Sequence, residues 1–100
     1  MNSLSAIGLS GMNAAWTRIE VSGHNIANHD TTGFRSQEVV LEANAGLSGV
    51  SASVRQADEL GVSLPKEIVD QMSASYAFKA SLKTIETGNS MLGSLLDLHA

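Results

Sequence analysis

The chain has no cysteine, one proline and four aromatic residues, namely one Trp, one Tyr and two Phe, in 100 residues. Without thiols it can neither close a disulfide nor offer a thiolate to a metal. With so few aromatics, its apolar content is mostly Ala, Leu, Val and Ile. Charge is sparse as well, 16% of residues with a net −4, and lacks the clustered Lys and Arg of a nucleic-acid surface. No apolar stretch approaches the ~20 residues that cross a bilayer, so a membrane-spanning protein is not expected. No basic segment followed by a hydrophobic run opens the sequence, so a cleaved secretory signal is not expected either. Composition alone therefore reads as one small soluble cytoplasmic domain, near the lower size limit for a self-sufficient core.

Chemistry is also missing. His24 and His29 are five apart, and His99 lies at the far end. No His-x-x-Glu pattern, no Gly-x-Ser-x-Gly elbow and no Gly-rich phosphate loop is present. Glu38 and Glu42 read as a solvated face without a cationic partner, and Arg18 and Glu20 are too close in sequence to pair along a helix. No catalytic, cofactor-binding or metal-ligating residue is expected, and no cofactor.

What the sequence does have is period. From Ser3 to Asn28 the apolar residues fall at helical spacing. Leu9, Met12, Trp16, Ile19, Gly23 and Ile26 alternate in threes and fours, the spacing of a coiled-coil seam. Leu4, Ile7, Gly11, Ala14 and Val21 form a second stripe. Gly8, Gly11 and Gly23 each cost about 1 kcal/mol in a helix interior, which makes sense where a neighbouring backbone comes close or where the segment orders only on assembly; weak helix propensity with fraying in the first two turns is the alternative, above all for Gly8. After the helix come Ser22-Gly23-His24-Asn25-Ile26-Ala27-Asn28 and then His29-Asp30-Thr31-Thr32-Gly33-Phe34. Asn28 suits a left-handed helix C-cap. Asp30, Thr31 and Thr32 hold a turn, Gly33 permits positive φ, and Phe34 re-enters packed structure.

The middle, 35–63, loses the helical period. Gln37–Glu42 and Val50–Gln56 are β-biased, and Ala43–Gly49, with Asn44, Gly46, Ser48 and Gly49, reads as the loop of a hairpin. A competing reading makes 36–46 a short helix capped by Ser36. Asp58, Glu59, Gly61 and Ser63 form a polar link. Pro65 then fits the first helical position of a second helix, with Glu67 and Asp70 favourable to its dipole. Ile68, Phe78, Leu82, Ile85, Leu92 and Leu96 make its seam, with Gln71, Ser75 and Asn89 as polar members. Val69, Met72, Tyr76 and Ala80 run beside it. Met91, Leu92, Leu95, Leu96 and Leu98 wrap most of the circumference of the last turns, and a helix apolar all round is a helix buried all round. One partner helix cannot cover that, so these residues are expected to pack between subunits.

The Asn-Ile-Ala-Asn element followed by Thr-Thr-Gly-Phe resembles the N-terminal signature of the bacterial flagellar rod and hook axial proteins. The matching residues are Ser10, Gly11, Asn25, Ile26, Ala27, Asn28, Thr32, Gly33 and Phe34. Ile68–Met72, Tyr76–Ser81 and Met91–Leu98 resemble the same family's C-terminal helix. About thirty residues separate the two ends, fewer than such proteins usually carry, which places the chain nearest the short proximal rod proteins. The resemblance implies a structural subunit that is not an enzyme, exported without a cleaved signal through a type III apparatus to the periplasm-spanning rod of the basal body. Its implied partners are itself and other flagellar axial proteins, in a homo-oligomer or helical assembly. Asn25, Ile26, Asn28, Thr32, Gly33 and Phe34 would shape the bend after the first helix, where subunits meet. A cytoplasmic helical adaptor or export chaperone that binds amphipathic helices is the alternative.

The combined expectation is a mainly α single domain over 1–100. Residues 1–34 give the first helix and signature turn, 35–63 a short β-hairpin or irregular middle, and 64–100 the C-terminal helix. The two long helices would form an antiparallel coiled-coil hairpin, with Trp16 and Ile19 near the middle of the second.

Overall fold

Two long helices, antiparallel, carry a two-stranded ribbon between them in sequence. The structure, a computed structural model, describes residues 3–44 and 49–99. Helix α1 is Ser3–Ala27, strand β1 Gln37–Ala43, strand β2 Val50–Gln56 and helix α2 Leu64–His99. The strands pair antiparallel with Gln37 opposite Gln56 and Ala43 opposite Val50. Both strands match the sequence reading, and the alternative short helix over 36–46 does not form. Alternating Val and Ser in β2, with Val39–Leu41 opposite, suit a pleated surface better than a helix turn. Gly46 and Ser48 of the expected hairpin loop lie outside the described residues.

The ribbon is not left alone in water, where two strands are marginal. It lies along α1, its open end at Asn25 and its tip near Ser10. There the Val50 N–H donates to Ser10 Oγ at 3.2 Å. Directly opposed Glu38 and Arg55 pair at 3.0 Å, so Glu38 has the cationic partner that a helical spacing argument could not supply.

Helix packing departs from the expected seam by a rotation. The buried line on α1 is Gly8, Ala15, Ser22 and Asn25, with Ser5 and Ala14 beside it. On α2 it is Glu67, Ala74 and Gly88, with Ser81 half-buried. A Cβ placed on Gly8 would sit 3.0 Å from the Ser81 carbonyl oxygen, and one on Gly11 would sit 3.3 Å from Ser81 Cβ. Ser22 Oγ donates to the Glu67 carbonyl at 2.7 Å. Seven-residue steps up α1 thus meet seven-residue steps back down α2: Ser22 with Glu67, Ala15 with Ala74, Gly8 with Ser81.

Small residues occupy the seam because they let the two backbones close together. Leu9 and Trp16 of the expected seam are instead exposed on its flank, and so are Ile68 and Leu82. One residue of phase turns a helix by about 100°, which carries the whole apolar set from the interface to its rim. The rim still makes contact. The Trp16 and Phe78 rings lie 6.5 Å apart, which places Trp16 against the middle of α2 as expected.

Helix ends also differ by a residue. Ser63 caps α2, its carbonyl accepting from the Glu67 N–H at 3.0 Å, which makes Pro65 the second helical residue and not the first. Either place suits proline, since both N–H groups lack an intrahelical acceptor. The molecule measures 63 × 26 × 14 Å with a radius of gyration of 17.3 Å. A compact chain of this length would give about 13 Å. Its accessible surface is 6792 Å², against roughly 5,400 Å² for a monomeric protein of this mass.

Candidate functional site

Two places stand out, one buried and polar, the other exposed and apolar. The buried one is built on Asn25, which is wholly inaccessible. Its Oδ1 accepts from the Gln37 N–H at 2.8 Å, and its Nδ2 donates to the Gln37 carbonyl at 2.9 Å. The side-chain amide thereby acts as a third strand one residue long, holding the first residue of β1 to α1. The second Nδ2 hydrogen reaches the Glu67 carboxylate, 2.8 Å from one oxygen and 3.2 Å from the other. Glu67 is itself buried, and Ser22 bonds its main-chain carbonyl. One asparagine thus joins α1, β1 and α2. Every buried side-chain nitrogen and oxygen among the described residues has a partner.

The turn after α1 works by side-chain bonding. Asn28 Nδ2 caps the His24 carbonyl at 2.9 Å, and Asn28 Oδ1 accepts from Thr31 Oγ1 at 3.2 Å. Asn28 does not adopt the left-handed conformation expected of it, since no described non-glycine residue has positive φ. Its side-chain amide adds a second donor to the His24 carbonyl, which also accepts from the Asn28 N–H at 3.2 Å, so no change of backbone hand is needed. That change falls at Gly33, with φ of 77°, in a turn closed by the Phe34 N–H to the Thr31 carbonyl at 3.2 Å. Positive φ at the third position is the type II arrangement that calls for glycine. A Cβ on Gly33 would meet nothing within 4 Å, so conformation and not space selects it.

Phe34 is half-buried with its ring edge-on to His24 at 5.6 Å, and its carbonyl accepts from the Gly61 N–H at 2.9 Å. Ile26 is half-buried, while Thr32 is exposed. Of the signature residues, Asn25 faces wholly into its own chain. Ser22, Gln37 and Glu67 complete its cluster and went unnoticed in the sequence. The seven-residue spacing of Gly8, Ala15 and Ser22 was a usable signal, because it points Ser22 and Asn25 inward.

The exposed place is the end of α2. Ser5 Oγ lies 3.5 Å from Asn89 Oδ1, and from there α2 runs on for about ten residues, roughly 15 Å, beyond the level of Ser5. Met91, Leu92, Leu95, Leu96 and Leu98 lie on this overhang, each between 47% and 78% exposed. They share no cluster with the signature turn, which lies at the opposite end of the helix pair. Among the described residues no group of His, Asp or Glu is arranged to hold a metal, and no helix is long and apolar enough to cross a membrane.

Both ends of the chain match known families. Residues 6–35 match the family described as "Flagella basal body rod protein", and residues 55–98 match "Flagellar basal body rod FlgEFG protein C-terminal". The flagellar hook protein FlgE of Treponema pallidum (strain Nichols) is 39% identical over 61 residues, 61% of this chain and 13% of that protein. The hook protein FlgE of Borreliella burgdorferi is 31% identical over 89 residues, 81% of this chain and 20% of that protein. The chain thus spans about a fifth or less of the length of these relatives. The two matched segments coincide with α1 plus its turn and with the end of β2 plus α2, the paired elements of this fold. The chain belongs to the flagellar rod and hook family of axial proteins.

Proposed function

We propose that this protein is a structural subunit of the flagellar basal-body rod or a closely related axial assembly, and that it self-assembles through its terminal helices. The observation that carries the reading is the overhang of α2. Five large apolar side chains, each exposed, fall on one face of the overhang, an arc of roughly 160° at 100° per residue and not most of the circumference, with Ser90, Gly93, Ser94 and Asp97 on the other side. Each forgoes roughly 1.5–3 kcal/mol of burial while it stays in water. A contiguous apolar patch of this kind marks an interaction surface. Copies of this chain and other axial proteins are the partners this reading supplies. Its place would be the periplasm-spanning rod, reached by export without a cleaved signal.

Within such an assembly the α1–α2 pair acts as the rigid strut and the overhang as the adhesive end. The short middle segment, a ribbon laid along α1, fits a subunit near the short proximal rod proteins. Sedimentation across a concentration series tests the reading. The full chain is expected to form oligomers that grow with concentration, and a chain lacking residues 93–100 to stay monomeric with its helix signal nearly unchanged. A full chain that sediments as a monomer at millimolar concentration would refute it.

A further inference from the structure

The large apolar stripes that the sequence lays at heptad spacing form the rim of the helix pair, and the two rims lie on the same side. Trp16 meets Phe78 across the pair, and a Cβ on Gly8 would touch Ile85 Cγ1. Leu9, Met12 and Trp16 of α1 therefore stand beside Phe78, Leu82 and Ile85 of α2. The ribbon covers the other side of α1, where Ser10 bonds Val50 and Asn25 bonds Gln37. These six residues make one apolar face that no described segment covers. Leu9 and Leu82 are 41% exposed and Trp16 53%, with the other three half-buried.

Charge is missing from this face as well. No residue of α1 before Arg18 is charged. Lys79, Lys83 and Glu86 lie on the outer side of α2, roughly 80–140° round the helix from Phe78. A solvated helix carries charge on its free side, whereas the buried centre of an interface is depleted of it. The end of α2 has the same character, with no charged residue from Thr87 to Leu96. Helix α2 is unbroken from Leu64 to His99, so its end cannot turn back onto the face of its own chain.

The two surfaces match in length and width. Leu9–Trp16, Phe78–Ile85 and Met91–Leu98 are all seven-residue steps, each about 10 Å long. A stripe about 100° wide serves a helix that packs on one side. The arc of roughly 160° from Met91 to Leu98 is wide enough to touch two helices at once, and the face offers two side by side. We infer that the end of α2 from one copy docks across this face of a second copy, onto α1 and α2 together. This docking rests on the reading above, that the end of α2 is an association surface, and adds the site that receives it. Donor and receiver are different patches, so the contact is heterologous and passes from copy to copy without closing in a pair. Each copy is then covered twice, at its end and on its face. The chain exposes roughly 1,400 Å² more than a monomeric protein of its mass, the order of what a contact of standard size, about 1,200–2,000 Å², removes.

A contact made of two different patches can be broken on either side, and the halves then complement. Leu95→Ser with Leu96→Ser removes the donor. Leu9→Gln with Leu82→Gln spoils the receiver while keeping good helix formers. At a concentration where the unaltered chain oligomerises, sedimentation should show self-association of each variant weakened at least tenfold, and an equimolar mixture as a 1:1 dimer. A receiver variant that keeps its helix signal and associates like the unaltered chain overturns the inference and leaves the assembly reading standing. An unaltered chain that stays monomeric removes both. The absence of native cysteine gives a second measurement that leaves each surface nearly whole. A Leu82→Cys chain and a Leu95→Cys chain, oxidised together, should form a disulfide-linked dimer that neither forms alone. A Leu95→Cys chain that links to itself as fast as the mixture links means that the ends meet each other, and the docking fails; a mixture that stays unlinked sinks it equally.

Discussion

The seam between the helices and the free end of α2 are made of opposite materials. The seam is Gly, Ala, Ser, one Asn and one Glu, all buried and with the polar atoms satisfied. The end of α2 is Met and Leu, all exposed. A self-sufficient small domain puts its large apolar side chains inside and its polar ones outside. Among the described residues the buried hydrophobic ones are three alanines, Ala14, Ala15 and Ala74, and the largest fully buried side chain is Asn25. Close backbone contact and hydrogen bonds hold the pair, and most of the hydrophobic driving force is held for a surface outside it. The comparison implies that interior substitutions act on folding and terminal ones on association.

The largest effect should come from breaking the interior. Asn25→Leu keeps the volume but leaves the N–H and C=O of Gln37 and the Glu67 carboxylate buried without this partner. Each such group costs about 1–3 kcal/mol, more when charged, so a loss of at least ~3 kcal/mol is expected. Thermal unfolding followed by circular dichroism in dilute solution should show it. An unchanged melting temperature would mean that the cluster is not the interior of the fold. Replacing Leu95 and Leu96 together with Ser should do the reverse, moving the melting of dilute protein by less than ~0.5 kcal/mol. It should also weaken association by several-fold or more in sedimentation. A variant that unfolds instead would mean the overhang packs within its own chain.

Gly8→Val sharpens the contrast between seam and turn. Its Cβ would press on the Ser81 carbonyl, a backbone atom that cannot swing away, so overpacking should cost about 1–3 kcal/mol. Gly33→Val has open space around it and pays for conformation alone, roughly 1–2 kcal/mol. Gly33→Asn should recover much of that loss, since Asn tolerates positive φ, whereas Gly8→Asn should recover none. Denaturant melts of the four variants decide it.

The smallest effect lies on the surface. Lys66 Nζ donates to Asp70 at 2.7 Å, and that bond, together with the charges of Asp70, Glu67 and Glu38, outweighs partial burial and raises the Lys66 pKa above its ordinary 10.5. A raised lysine pKa in the folded state adds stability that is fully present below 10.5 and fades as pH climbs through the higher folded value. Because the pair is exposed, less than ~1 kcal/mol is involved. Asp70→Asn should remove this alkaline dependence while leaving stability at pH 7 nearly unchanged.

The sequence by itself determined the elements and their order. Helical period ends at Asn28, β-bias marks β2 at its observed bounds and β1 to within its last residue, Ala43, and the polar link before Pro65 announces α2, because those signals are local. It also set Met91, Leu92, Leu95, Leu96 and Leu98 together on one face of the last turns, an arc of roughly 160°. Which face of each helix turns inward was decided only by the tertiary structure. A period of three and four marks a stripe but not which neighbour covers it, and here the large apolar stripe is the rim while glycine, alanine and serine form the contact. The meeting of Asn25, Gln37 and Glu67 is likewise tertiary. Forty-two residues separate Asn25 from Glu67, and only the antiparallel return of α2 brings a helix-dipole glutamate onto a signature asparagine.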